Sequence, residues 1–128
     1  MTESSSEVTT DAPADDRADA TPDRPQDLAD GDDLAAFRAA HEFALVEFYT
    51  DGCGICASME PVLSGIAREP GLAVGLVNPR DDPPLIDEFQ VQSVPLLVLF
   101  RDGEVVARRA DGFVGVEELR AWLDEYRG

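Results

Sequence analysis

The sequence contains no lysine. All ten of its basic residues are arginine, and they face 27 aspartates and glutamates, which leaves a formal net charge of −17. Such a surface repels phosphate backbones and anionic headgroups, so nucleic acid and membrane are excluded as predicted partners. Two interpretations stay open. Acid-rich chains of this kind are typical of cells with molar internal salt, where the Debye length is only ~3 Å, whereas a codon bias toward arginine would give the same composition.

The sequence also lacks apolar targeting segments. Its first residues, MTESSSEVTTDAPADD, carry neither the basic start nor the apolar core of a secretory signal. No apolar run approaches the ~18 residues of a membrane-spanning helix. We therefore expect a cytoplasmic location, where stable structural disulfides are rare and a close cysteine pair is more often catalytic or metal-binding.

Large apolar residues are scarce at the start of the chain. Through Asp33 the sequence holds eleven acids and two arginines, a net charge of −9. Such a segment buries too little surface to offset the entropy lost on ordering. We predict a disordered acidic tail over 1–31 and a single domain over 32–128. The tail is interpreted as solubilising, with a docking or regulatory role as the alternative.

The predicted domain alternates between helical and strand patterns. Apolar residues at spacings of three and four predict helices from Asp32, where an aspartate cap is expected, from Cys53, just after the prolines at 83–84, and at the chain end. Apolar runs at 43–49, 72–77 and 95–100 predict buried strands, and EVVARR forms a hairpin with the last of them through the turn RDG. This order predicts an α/β fold with a mixed sheet, parallel at its centre, between helices on both faces.

Cysteine occurs only twice, as Cys53 and Cys56 in the stretch FYTDGCGICASMEP. At the start of a helix, residues three apart share one face. Cys53 lies among unpaired backbone N–H groups at the positive end of the helix dipole, which stabilises a thiolate, and Cys56 is expected to point inward. An exposed thiol beside a sheltered one suits thiol–disulfide exchange.

Two other roles suit the cysteine pair less well. A zinc site needs two further ligands, and the chain offers only His41, so metal binding would require a site shared between chains. A structural bridge across two intervening residues would constrain the unfolded chain little. We predict redox chemistry without a metal.

The cysteines belong to the motif VEFYTDGCGIC, which precedes a helix with Met59 and Pro61. Two further motifs follow: VQSVPLLVLFRDGE, and the glycine of ADGF before the last helix. With these motifs residues 43–128 resemble the thioredoxin family, and the acidic composition is similar to that of its members from halophilic archaea. The resemblance implies a thioredoxin-like fold and a protein-disulfide oxidoreductase, an electron carrier that needs no bound cofactor and acts as a monomer.

The resemblance also implies a reaction. Cys53 would attack a disulfide of a protein substrate, Cys56 would resolve the mixed disulfide, and a thioredoxin reductase or similar donor would restore the dithiol. The alternatives are a disulfide oxidase or isomerase, or a non-catalytic redox sensor or scaffold of the same fold.

Residues away from the cysteines receive roles from the same resemblance. It implies a cis peptide bond between Val94 and Pro95, and it places Val94, Pro95 and Gly112 against the substrate chain. Glu47 stands where the family has an aspartate, and is expected to act as general acid/base toward Cys56. A solvated position at a sheet edge is the alternative for Glu47.

Four features depart from the family pattern. Gly52 replaces the usual tryptophan, Ile55 replaces the proline of CGPC, the lysine near the buried acid falls at Gly75, and no opening strand is evident in DRPQDLAD. We expect the backbone N–H restored by Ile55 to point at the Cys53 sulfur. These departures favour altered partner choice or redox potential rather than a different fold.

Overall fold

A computed structural model describes residues 22–127; most of the predicted tail, residues 1–21, lies outside them. This part of the chain forms four α-helices, five strands and one short 3-10 helix. The helices are α1 (Gly31–Ala40), α2 (Gly54–Ile66), α3 (Pro84–Glu88) and α4 (Val116–Arg127), the strands are β1 (Gln26–Leu28), β2 (Phe43–Phe48), β3 (Ala73–Val77), β4 (Leu96–Arg101) and β5 (Glu104–Arg109), and the 3-10 helix is Pro79–Asp81. No helix in 22–127 is long and apolar enough to cross a membrane.

The described strands form one mixed sheet in the order β1-β3-β2-β4-β5. β3 runs parallel to both β1 and β2, whereas β4 is antiparallel to β2 and to β5. The β4–β5 hairpin turns at Asp102 and Gly103, whose φ angles are +53° and +84°. A tight Asp-Gly hairpin turn requires these left-handed conformations.

The two faces of the central strand β2 contact separate apolar clusters. Leu45 packs with residues of α2 and α4, whereas Val46 and Phe48 pack with residues of α1 and α3. Helices therefore cover both faces of the sheet, and the predicted α/β fold is confirmed. Because side chains alternate along a strand, Glu47 shares the face of Leu45 and points toward α2.

Ordered structure begins before the predicted start at Asp32. β1 pairs in parallel with residues 75–77 of β3, so the chain has an opening strand that was not evident in its sequence. Leu28 is buried in this pairing, and a Cβ at Gly75 would lie only 2.8 Å from its Cδ1. The helix cap is Asp30, which accepts a 2.9 Å hydrogen bond from Asp33 N–H. Three residues are too few for an alternating pattern to show in the sequence.

Candidate active site

The two cysteines lie at the N-terminus of α2 and form a disulfide. Cys53 caps the helix, and its Sγ accepts a 3.1 Å hydrogen bond from the N–H of Cys56. The donor in this oxidised state is therefore the Cys56 N–H rather than the predicted Ile55 N–H. Cys56 is 4% exposed, whereas Cys53 is partly exposed. Cys53 is thus the more accessible cysteine of the pair.

Glu47 lies in the middle of the sheet and not at a solvated edge. Its side chain is 2% exposed, and its Oε2 has no hydrogen-bond partner among the described residues. Burial, and then the charge of Glu60, raises the pKa of Glu47 from 4.5 to about 8. A buried carboxyl that titrates near neutral pH can both accept and donate a proton.

Both cysteines and Glu47 line one cavity of about 240 Å³. We call it the acidic cavity, because three exposed carboxylates also line it; these are Asp27, Asp51 and Glu60. The other lining residues are Tyr49, Thr50, Gly52, Ala57 and Leu76. Burial, followed by the charges of nearby acids, raises the pKa of the Tyr49 hydroxyl. The reacting sulfurs therefore face a strongly negative space.

The position opposite Glu47 carries no compensating charge. Leu76 pairs with Glu47 across β2 and β3 and lines the acidic cavity. Gly75 faces the other side of the sheet, where a Cβ would lie 3.1 Å from Phe37 Cε2. The family's lysine therefore corresponds to Leu76 and not, as predicted, to Gly75. None of the described residues that line the acidic cavity is basic.

The two loops expected to meet substrate are the turn at Val94–Pro95 and the loop of Gly112. The Val94–Pro95 peptide bond is cis, as the resemblance implies. Val94 lines a shallow hollow together with Thr50, which also lines the acidic cavity. The loop of Gly112 contacts α2, because Val114 N–H donates a 3.4 Å hydrogen bond to Met59 Sδ.

Exposed apolar side chains adjoin these positions. Ile55, between the cysteines, is 48% exposed, and Phe113, next to Gly112, is 56% exposed. Gly52, in the place of the family's tryptophan, has φ +81°, and a Cβ built there would have no described atom within 4 Å. The rim of the site therefore keeps apolar surface without that tryptophan.

Several residues of the acidic cavity were not predicted from the sequence. Glu60 follows Cys56 by four residues, so its place on the same face of α2 was readable from helical spacing. Asp27 gave no such signal, because it falls in the segment predicted to be disordered and reaches the site only through β1.

A redox-active cysteine pair that caps a helix, packed on a mixed sheet, defines a thiol–disulfide oxidoreductase of α/β fold. The chain belongs to the thioredoxin family, whose model matches residues 32–125. It is 41% identical over 83 residues to a thioredoxin of Mycobacterium tuberculosis, covering 63% of this chain and 68% of that one. It is also 34% identical over 85 residues to a thioredoxin of Buchnera aphidicola, covering 65% and 78%.

A solved structure agrees with these relatives. A thioredoxin from Halobacterium salinarum NRC-1, solved as a point mutant, superposes with a TM-score of 0.79 at 30% identity, covering 85% of this chain and 96% of that one. The chain is thus a protein-disulfide oxidoreductase that works through the Cys53–Cys56 dithiol–disulfide couple.

Proposed function

We propose that the chain reduces disulfides of other proteins, with Cys53 as the attacking thiolate and Cys56 as the resolving thiol. The observation that carries this assignment is the difference in exposure between the two, with Cys56 only 4% exposed. Cys53 also lies at the helix N-terminus, where the Cys56 N–H and the helix dipole favour a negative sulfur.

The reaction has two exchange steps. The Cys53 thiolate attacks one sulfur of the substrate disulfide; that S–S bond breaks, a mixed disulfide forms, and one substrate thiolate leaves. Cys56 then loses its proton and attacks Cys53 Sγ, which breaks the mixed disulfide and releases the second substrate thiolate. Two electrons pass to the substrate, and the Cys53–Cys56 pair ends as the disulfide.

Glu47 is proposed as the group that accepts the Cys56 proton. Its buried carboxyl lines the same cavity as both sulfurs and titrates near neutral pH. A carboxylate here can take up the proton as the thiol attacks, and can return it when the disulfide is reduced again. Glutamate is one methylene longer than the family's aspartate, and we propose that a water molecule carries the proton between Glu47 and Cys56.

The substrate is proposed to lie along the cis-proline loop. Val94 is partly exposed and lies before β4, so its backbone can pair with an extended segment of substrate. Pro95 fixes this turn, and we propose that Gly112 and the exposed Phe113 contact the substrate from the loop before α4. Members of the family have reductase partners, and we propose that a thioredoxin reductase or similar two-electron donor restores the dithiol.

The proposed setting is a cytoplasm with molar salt, where the chain acts as a monomer. The net charge of −17 without any lysine supports this setting, as does the similarity to a thioredoxin from Halobacterium salinarum. No metal or bound cofactor is part of the proposal.

Trapping experiments test the two thiol roles. Cys56→Ser should accumulate a mixed disulfide with an oxidised protein such as insulin, because nothing resolves the bond, whereas Cys53→Ser should capture none. Mass spectrometry of the non-reduced products identifies the linked cysteine. A mixed disulfide through Cys56 in the Cys53→Ser variant would overturn the assignment, and the double variant controls for other linkages.

A disulfide oxidase or isomerase is the second candidate, favoured by Ile55 and Gly52 in place of proline and tryptophan. The redox potential separates the two, and we expect a reductase. Equilibration with glutathione should give roughly −240 mV, about 30 mV above the value of thioredoxin, because the dithiol relaxes more easily with Ile55 in place of proline. A value near the roughly −180 mV of protein disulfide isomerase would contradict net reduction.

A further inference from the structure

The acidic cavity has a negative charge that no described neighbouring side chain neutralises. Three of its carboxylates, Asp27, Asp51 and Glu60, are exposed at its rim. Glu47 lies deeper, 2% exposed, and its Oε2 is unpartnered among the described residues. Burying a hydrogen-bond acceptor without a donor costs free energy, and this cost is removed when a donor group enters the cavity.

The shape of the cavity favours an organic cation over a metal ion. Within 22–127 no group of three or more acids, cysteines or histidines is arranged to hold a metal. The carboxylates instead surround about 240 Å³, which also contacts the apolar Ala57 and Leu76. A guanidinium offers five N–H donors to separated oxygens, and its aliphatic stem can pack on such apolar atoms.

We propose that the acidic cavity binds an arginine or lysine side chain of the substrate, and so selects disulfides with a cationic residue beside the cysteine. This inference rests on the proposed reduction of protein disulfides. Because Cys53 and Cys56 line the same cavity, the substrate sulfur lies at its mouth during the exchange. An extended chain spans about 3.5 Å per residue, so the cation lies within about two residues of the substrate cysteine.

The negative field of the whole molecule also attracts cations, and a test has to separate the two effects. Asp124 and Glu125 provide the matched control, because both are exposed acids near the end of α4. There α4 contacts the end of α2 that is far from the cysteines. Arg127 pairs with the Glu69 carboxylate and donates a hydrogen bond to the Pro70 carbonyl oxygen, and both residues follow α2. Removing these two charges changes the net charge by as much as removing Asp51 and Glu60.

The experiment uses the full chain, reduced with dithiothreitol and freed of it, in 0.5 M KCl. Its substrates are two peptides cyclised by a disulfide, identical except for arginine or its neutral analogue citrulline next to one cysteine. The second-order rate constant of reduction is followed by chromatography. We expect the arginine peptide to react about fivefold faster. In Asp51→Asn/Glu60→Gln this ratio should fall below twofold, and in Asp124→Asn/Glu125→Gln it should stay near fivefold.

Three results would overturn the inference. Equal rates for the two peptides in the unaltered chain would remove the subsite while leaving disulfide reduction intact. An equal fall of the ratio in both double variants would assign the preference to the general field. Reduction of neither peptide would overturn the proposed function together with the inference that rests on it.

Discussion

Glu47 is an acid in a position where the surrounding residues are apolar. It interrupts the buried strand FALVEF, and its cross-strand neighbours are Leu76 and Leu97. No basic residue of the described chain lines its cavity, so the carboxyl is stabilised in its neutral form and its pKa rises to about 8. At neutral pH the folded chain therefore holds a proton that the unfolded chain releases.

This proton makes the stability of the fold depend on pH. Between pH 4.5 and 8 unfolding releases the Glu47 proton, so the free energy of unfolding falls as pH rises. At ~1.4 kcal/mol per pKa unit the loss is on the order of 4 kcal/mol. Glu47→Gln should lose this dependence and be more stable than the parent chain at pH 8.

Urea unfolding of the oxidised chain at pH 5, 6.5 and 8 measures the effect. Glu88→Gln, which removes an exposed acid of α3, is the control and should keep the slope of the parent chain. If Glu47→Gln and its parent show parallel curves over this range, the carboxyl is ionised in the folded state and the argument fails.

At the scale of elements, β1 is short but contributes to both the core and the site. It places Leu28 against the sheet and Asp27 at the acidic cavity, and it leads directly into the cap Asp30. Residues 1–21 hold few large apolar side chains, so their removal should change stability little. A deletion that also removes β1 should lower the stability of the chain markedly.

Deletion of residues 1–31 is therefore expected to destabilise the chain. Burial of a leucine is worth ~1.5–3 kcal/mol and a helix cap ~1 kcal/mol, so the loss should reach at least ~2 kcal/mol. Urea unfolding compares it with deletion of 1–21, and Leu28→Ala in the full chain should reproduce a large part of the difference. Equal stability of the two deletions would show that β1 contributes no net stability.

The strands that were predicted correctly from the sequence are those with a long apolar run. The apolar runs at 43–49 and 72–77 match β2 and β3 to within one residue, because runs of six or seven residues that are nearly all apolar leave little ambiguity. β1 and the 3-10 helix Pro79–Asp81 have three residues each, too few to carry a period. Among the aspartates near residue 31, the pairing of β1 decides which one caps α1.

The residues of the site divide in the same way, into those that could be predicted from the sequence and those that only the fold brings together. The cysteine pair was predictable from a local motif, and the cis bond before Pro95 was predictable because the resemblance to the family implies it. The acidic cavity was not, because its walls come from β1, β2, β3 and α2, which meet only in the fold. The assignment of the missing lysine to Gly75 failed for a related reason: a shift of one residue along a strand moves a side chain to the opposite face.

At the scale of the molecule, the arginines of residues 22–127 pair with acids and also donate hydrogen bonds to backbone carbonyl oxygens. Arg108 donates to the carbonyl oxygens of Phe89 and Gln90, where α3 ends, and Arg101 donates to that of Tyr126. Such forked contacts suit the planar guanidinium and not a lysine ammonium. The acids still outnumber the arginines by 27 to ten, and their mutual repulsion opposes the compact state.

Salt should therefore stabilise the folded chain. Residues 1–21 hold six acids and one arginine, so removing their net −5 from −17 leaves −12 on the rest. The Debye length falls from ~30 Å at 0.01 M to ~3 Å at 1 M, and this stronger screening removes most of the repulsion between separated carboxylates. A gain of about 1 kcal/mol raises the melting temperature of a domain this size by roughly 4–8 °C, and we expect at least that rise.

Thermal unfolding in KCl from 0.01 to 2 M measures this dependence for the full chain and for residues 22–128. Screening predicts that most of the rise occurs below about 0.3 M, where the Debye length shortens fastest, whereas preferential exclusion of salt from the surface grows steadily with concentration. Both chains should show the early rise, because both stay acidic. A melting temperature independent of salt in residues 22–128 would show that its carboxylates do not oppose folding, and would favour codon bias as the origin of the lysine-free composition.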